Sequence, residues 1–254
     1  PDKSLQAGFD MDFLLHFGPS HYNDLFRCEE PYFSSRGKGS AAAFVENYKE
    51  SRKKAGEKGL ICIPSGNHDM DRLARVLHGD ELKVAFAFLL TMPGAPFIYY
   101  GDEIGLRYVE NLVSVEGGYN RTGSRSPMQW NHEVNFGFSN ASGIREGFLE
   151  LSGNLEFDPN SLYYEVKKLI ALRREHSALL SDGNIEFVSD GADGSPLAYI
   201  RSSADEKILV VVNPADREAV LTVPGSWQQN LYQIGGAVVA ENGKLVIPPK
   251  SANL

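Results

Sequence analysis

Apolar and polar positions follow two different periods along this chain. In L-Q-A-G-F-D-M-D-F-L-L-H-F, residues 5 to 17, Ala7, Phe9, Met11 and Phe13 alternate with Gly8, Asp10 and Asp12, and an apolar run follows. A period of two predicts a strand there. Residues 18 to 40 are rich in Gly, Pro, Ser and aromatics without a period, which predicts a long loop with one short helical turn. From Ser40 to Lys54, Phe44, Val45 and Tyr48 share a face, Ser40 stands at an N-cap position and cations gather near the end. This is the pattern of an amphipathic helix. Gly56 and Gly59 close it, and Leu60 to Ile63 predict a second strand that stops at Asn67, His68 and Asp69. Helical spacing resumes through Leu73, Val76 and Leu77, and the stretch from Glu81 to Met92 is apolar on most sides, as in a helix buried on a sheet. A-P-F-I-Y-Y-G-D-E-I-G-L, residues 95 to 106, predicts a third strand. Strands alternating with helices predict a parallel sheet. A last helix, with Leu162, Val166, Leu169, Ile170 and Leu172 on its apolar side, is expected from Ser161 to Glu175.

From Ser181 the pattern changes. Short runs such as N-I-E-F-V, L-A-Y-I-R, K-I-L-V-V-V-N, A-V-L-T-V, N-L-Y-Q-I and K-L-V-I-P are separated by D-G, P-A-D, P-G-S and N-G turns. Such spacing predicts an antiparallel β-sandwich beginning near Asp182, so the expected division is an α/β part over 1–180 and an all-β part over 181–254. Composition narrows the function. With 42% hydrophobic and 23% charged residues in 254, the chain has ordinary globular content. The 33 acidic residues outnumber 25 basic ones, giving a net charge of -8 with no Lys/Arg block, which argues against nucleic acid as a partner. No apolar run reaches the roughly 18 residues of a membrane span, and no basic-then-apolar leader opens the chain. Cys28 and Cys62 lack any metal-binding spacing and read as small buried hydrophobes or as one disulfide.

The chemistry lies in four segments. Asn67, His68 and Asp69 end an apolar run, as expected of polar groups delivered to the mouth of a buried parallel strand, although Asp and Asn also cap helices. F-D-M-D-F at 9–13, N-H-D-x-x-R at 67–72, P-x-x-Y-Y-G-D-E-x-G at 96–105 and R-S-P-M-Q-W at 125–130 follow in that order. Together they resemble the alpha-amylase family of glycoside hydrolases, family thirteen, from about residue 5 to the carboxyl end. The R-x-P-M-Q-W form looks most like members acting on short alpha-glucosides or alpha-glucans: alpha-glucosidases, oligo-1,6-glucosidases and trehalose synthases. Two departures are mild. Asp71 stands before Arg72 where many relatives have Pro, and the loop reads R-S-P rather than R-T-P.

The resemblance implies a partial TIM (β/α)8 barrel, with strands six to eight present and the active site at their carboxyl ends. Retaining hydrolysis needs a carboxylate nucleophile and an acid about 5 Å from it. In the family these come from the fourth and fifth strands, and no G-x-R-x-D motif occurs here. Asp69 matches the third carboxylate of the pattern, the stabiliser of the distorted, oxocarbenium-like sugar. His68 and Asn67 are then sugar contacts. Arg72 either holds Asp69 or pairs with Asp71 or Asp80. Arg121 and Arg125 reach the substrate or an acidic neighbour, and Met128, Gln129 and Trp130 brace their loop from beneath. Asp102 and Glu103 are expected to make structural hydrogen bonds. The all-β part would pack against the barrel, with Trp227 and Tyr232 as the aromatics available to a separate sugar-binding face. No cofactor or metal is implied in this chain, and the calcium bound by some relatives belongs to the part not present. Expected partners are an alpha-glucan or alpha-glucoside, and the amino-terminal barrel portion or a second copy at strand edges 5–17 and 95–104. One reading is therefore a portion of a retaining glycosidase, inactive alone. The other is a non-catalytic relative that binds a partner, and the joint presence of Asn67, His68, Asp69 and Arg125 favours the first.

Overall fold

The computed structural model of the chain describes residues 2–13, 22–57, 59–112, 122–131, 133–140, 158–227, 229–241 and 243–254. Its first part contains α1 (Asp2–Gln6), β1 (Met11–Phe13), α2 (Tyr22–Phe26), α3 (Ala42–Ala55), β2 (Leu60–Cys62), α4 (Asp80–Thr91) and α5 (Leu162–Glu175). β1 and β2 pair in parallel, with Met11 opposite Leu60 and Phe13 opposite Cys62. The segment after α4 adds a single parallel bridge, Pro64 to Phe97.

The sequence expectations need three corrections here. Leu5 and Gln6 are helical, and the described part of the strand expected over 5–17 starts only at Met11 and runs to Phe13, with residues 14–17 outside the described residues. Gly8, at φ +102, breaks the alternation, and Leu5 turns into the core instead. Among the described residues, the strand expected over 95–106 is reduced to the parallel bridge of Pro64 with Phe97. Prolines at 64 and 96 remove two ladder donors. Ser65 replaces part of the ladder with its side chain, whose Oγ accepts from Tyr99 N at 2.9 Å while Ser65 N donates to Phe97 O at 2.9 Å. The helical spacing at Leu73–Leu77 forms only a 3-10 turn, Leu73–Arg75.

Two antiparallel sheets make up the carboxyl-terminal part. β3 (Asn184–Asp190), β4 (Leu197–Ser202), β5 (Lys207–Asn213), β10 (Ser251–Asn253) and β7 (Gln233–Ile234) form one in that order. β6 (Ala219–Leu221), β9 (Lys244–Ile247) and β8 (Val239–Glu241) form the other. Alternation in β4 and β5 sends Leu197, Tyr199, Ile208, Val210 and Val212 toward α4, and Ala198, Leu209 and Val211 toward Leu245 and Ile247 of β9. The five-stranded sheet is therefore a middle layer. α4 fits its prediction as a helix apolar on most sides, buried from Val84 through Thr91, and its Phe88 meets Tyr199 edge-on at 6.4 Å. Its carboxyl end is met by two buried arginines. Arg173 donates to Leu90 O, Met92 O and Gly94 O at 2.6 to 2.8 Å, and Arg201 donates to Thr91 O and to Leu180 O at 2.7 Å. Cations there satisfy the orphan carbonyls and suit the helix dipole. Burial lowers both arginines, Arg201 to about 10. Both cysteines are free, with Cys62 buried and Cys28 half-buried.

Candidate active site

The loop from Pro64 to Asp71 follows β2 and is fixed from three sides. Asn67 forms an Asx turn, its Oδ1 accepting from Asp69 N at 2.8 Å, which settles the local direction of the next two side chains. From one side comes Arg27, just past α2, whose Nε donates to Asp71 O at 2.6 Å and whose Nη2 donates to Ser65 O. Tyr22 of α2 also donates to Pro64 O. Gly66 permits this approach, since a Cβ there would lie 3.1 Å from both Arg27 Nη2 and Asp102 Oδ2. From beneath comes the pair Arg72 and Asp102, whose side chains are fully buried and meet at 3.1 Å. Asp102 also accepts from Ser65 Oγ at 2.7 Å, and Arg72 donates to Tyr100 O at 2.6 Å. Burial pushes the Asp102 carboxyl up, while Arg72, Arg27 and the Ser65 hydroxyl pull it down. Burial likewise raises Glu103 and carries the Tyr99 phenol to about 12.

The third side is the 122–130 segment. Tyr99 and Tyr100 donate to Ser124 O and Ser126 O at 3.2 and 2.8 Å, and Ser124 Oγ donates to His68 O at 3.3 Å. These bonds carry Arg125 onto the loop. Its Nε donates to His68 O at 3.1 Å and its Nη2 meets Asp69 Oδ1 at 3.2 Å. His68 Nε2 lies 3.4 Å from Asp69 Oδ2. The imidazole is 64% exposed, whereas Asp69 and Arg125 are about three-quarters covered, at 26% and 24%. A carboxylate thus stands between a guanidinium and an imidazole, with the imidazole turned outward. That set can orient a hydroxyl-bearing group by charge-assisted hydrogen bonds.

The structure brings Asn67, His68, Asp69 and Arg125 together. Arg72 is directed away from Asp69 and pairs with neither Asp71 nor Asp80: its partner is Asp102, with Tyr99 and Tyr100 rings 4.8 and 4.9 Å from its guanidinium carbon. Arg121 lies outside the described residues. Met128 and Gln129 are buried as expected, but Trp130 is 53% exposed. Its backbone N–H donates to Phe136 O at 2.8 Å, which holds the backbone while leaving the ring outside. Arg27 was not legible in the sequence, because it sits in an aperiodic loop and acts through main-chain carbonyls. Among the described residues no group of three His, Cys, Asp or Glu is placed to hold a metal ion.

The family model for the alpha amylase catalytic domain matches residues 25–183, more than half of the chain, and the model for the maltogenic amylase C-terminal domain matches residues 185–245. The chain belongs to the alpha-amylase family. Among curated relatives, the glucan 1,6-alpha-glucosidase of Streptococcus pneumoniae is 32% identical, over 70% of this chain and 39% of its own length. Alpha-amylase 3 of Dictyoglomus thermophilum is also 32% identical, over 77% of this chain and 38% of its own. The oligo-1,6-glucosidase of Halalkalibacterium halodurans is 28% identical, over 58% and 32%. Of solved structures, the alpha-amylase from H. orenii shares the fold at a TM-score of 0.74 and 23% identity, over 99% of this chain and 50% of that one. A trehalulose synthase mutant in complex with Tris does so at 0.75 and 21%, over 100% and 53%. This family member therefore spans roughly two-fifths or less of those curated relatives and about half of those solved chains.

Proposed function

We propose that this chain is the sugar-holding portion of a retaining glycosidase acting on alpha-glucans or short alpha-glucosides, and that Asp69 is its transition-state-stabilising carboxylate. The observation that carries this reading is the Arg125–Asp69–His68 cluster, in which a guanidinium fixes one carboxylate oxygen and an exposed imidazole sits beside the other. Asp69 accepts hydrogen bonds from hydroxyls of the bound glucosyl ring, and these strengthen as the ring flattens and positive charge develops at its anomeric carbon. His68 donates to the same ring, while Asn67 works as the turn that aims Asp69. Arg125 positions Asp69 and closes the site from the 122–130 side. Arg72 contributes through Asp102, as a brace. Arg121 is assigned to the substrate side of its loop on the motif alone.

In this reading the nucleophile and the general acid come from outside these 254 residues, in an amino-terminal barrel portion, and the chain alone does not turn over substrate. The division at 180/181 into a barrel portion and a β-sandwich domain belongs to the same reading. No resident cofactor is needed by the groups named, and calcium, where a complete enzyme binds it, sits outside this chain. The experiment is a pair of measurements on the purified chain: turnover of an aryl alpha-glucoside, and NMR titration with maltose and isomaltose for the native chain and Asp69→Asn. No turnover, with saccharide-induced shifts at 67–69 that the substitution removes, is expected. Measurable turnover, or shifts indifferent to Asp69→Asn, contradicts the proposal.

A further inference from the structure

The carboxyl-terminal sheets contain a cavity of about 610 Å³ that none of the candidate active-site residues line. It arises because the three-stranded sheet covers only part of the middle sheet. Leu245 and Ile247 seal Ala198, Leu209 and Val211, while the end carrying Glu186, Ile200 and Lys207 is roofed only by the loop following β6. Trp227 of that loop stands at the boundary. It packs against the Ala198–Leu245 cluster and lines both this cavity and a smaller apolar one of about 190 Å³ behind it. Its Nε1 donates to Pro224 O at 3.1 Å, so the indole is held in one orientation and its only N–H is already used. What the ring offers a ligand is an apolar face.

The polar groups around that face decide the ligand class. Glu186, Glu206, Lys207 and Gln229 line the same space. Glu206 is itself anchored, 2.6 Å from His176 Nδ1 and accepting from Ala178 N at 3.0 Å. One cation against two carboxylates does not suit a phosphate, and no metal-holding group of His, Cys, Asp or Glu exists among the described residues. A neutral molecule with one apolar face and a rim of hydroxyls suits both the ring and the mixed charges. A pyranose has that form. The volume falls within the range of roughly 300–1,000 Å³ usual for small-molecule sites. Tyr232, the other aromatic singled out by the sequence, packs against the main core instead and does not line the cavity.

We propose that this cavity is a second carbohydrate site, which holds an alpha-glucan chain against Trp227 apart from the Asp69 site; the choice of an alpha-glucan over another neutral saccharide rests on the proposed function. The test is calorimetric titration of maltoheptaose into the full 254-residue chain. Trp227→Ala is expected to weaken binding about tenfold or more, and Trp227→Phe to restore most of it. Asp69→Asn is expected to remove only what the Asp69 site contributes and to leave the Trp227-dependent part of the binding in place. Should Trp227→Ala disturb the fold, Glu186→Gln and Lys207→Ala, both at exposed positions, provide the independent reading and are expected to weaken binding severalfold. Failure of maltoheptaose to bind overturns the inference, as does affinity indifferent to Trp227, Glu186 and Lys207. Binding lost in Asp69→Asn but kept in the cavity variants also overturns it while leaving the proposed function standing. Binding lost in the cavity variants, with no saccharide effect at Asp69, supports this site and counts against the other.

Discussion

Replacing Arg72 by leucine should be among the most damaging single changes in this chain, although Arg72 touches nothing in solvent. Both side chains of the Arg72–Asp102 pair are 0% exposed and they meet at 3.1 Å. At that separation the attraction of unit charges is roughly 5 kcal/mol for an effective dielectric of about 20. The substitution Arg72→Leu would remove it and leave the Asp102 carboxylate buried with Ser65 and Arg27 as its nearest compensation. Breaking one side of a buried pair typically costs about 3–5 kcal/mol, which is a large share of a domain stability of roughly 5–15 kcal/mol. The Tyr100 carbonyl and the faces of Tyr99 and Tyr100 lose their cation in the same step. Urea unfolding at constant slope measures the change. The double variant Arg72→Leu/Asp102→Leu should recover about 2 kcal/mol or more of the summed single losses, since neither charge is then left alone. A loss under about 1 kcal/mol for Arg72→Leu, or strict additivity in the cycle, would refute the pair as the brace under the 64–71 loop.

Two further outcomes follow from contacts around the site and the sheet junction. Arg27→Ala removes charged donors from Ser65 O and Asp71 O, so about 1.5–3 kcal/mol of stability should be lost and the 65–71 amides should exchange faster, as hydrogen exchange will report. For Glu206, burial raises the pKa but bonds from His176, Ala178 N and Ser177 outweigh it, leaving the carboxyl below its usual 4.5. A depressed carboxyl stabilises the fold above its unfolded pKa and loses that contribution as pH falls through the folded value, so Glu206→Gln should flatten the acid limb of a thermal-midpoint profile below about pH 4.5. An unchanged limb would assign no such part to the His176–Glu206 contact.

Legibility in the sequence followed the range of the physics involved. The helices α3, α4 and α5 announced themselves by apolar spacing and ended within a few residues of the predicted places, because their signals are local. Strands β3, β4 and β5 were equally plain, each bounded by its own turn. β10 was not, since Ser251–Asn253 is buried at every position and shows no alternation to read. β8 was missed for the opposite reason, being exposed throughout. The extended look of 95–106 overstated a strand that Pro64 and Pro96 reduce to a bridge. Of the candidate site residues, Asn67, His68, Asp69 and Arg125 stand in the motifs read from the sequence, and folding brings them within hydrogen-bond reach of one another. The partner of Arg72 was not found, because Asp102 lies 30 residues away and nothing periodic links the two.

In its proposed role, Asp69 favours a sugar ring carrying positive charge over a neutral one. 1-Deoxynojirimycin presents such a cation in a glucose-like ring, so its affinity for the chain should exceed that of glucose, and Asp69→Asn should weaken both ligands while erasing most of the difference between them. The comparison can be made by competition NMR on the 67–69 resonances, with Arg125→Ala as a second variant expected to move in the same direction. Equal affinity for the two ligands, or a preference that survives Asp69→Asn, would contradict the account.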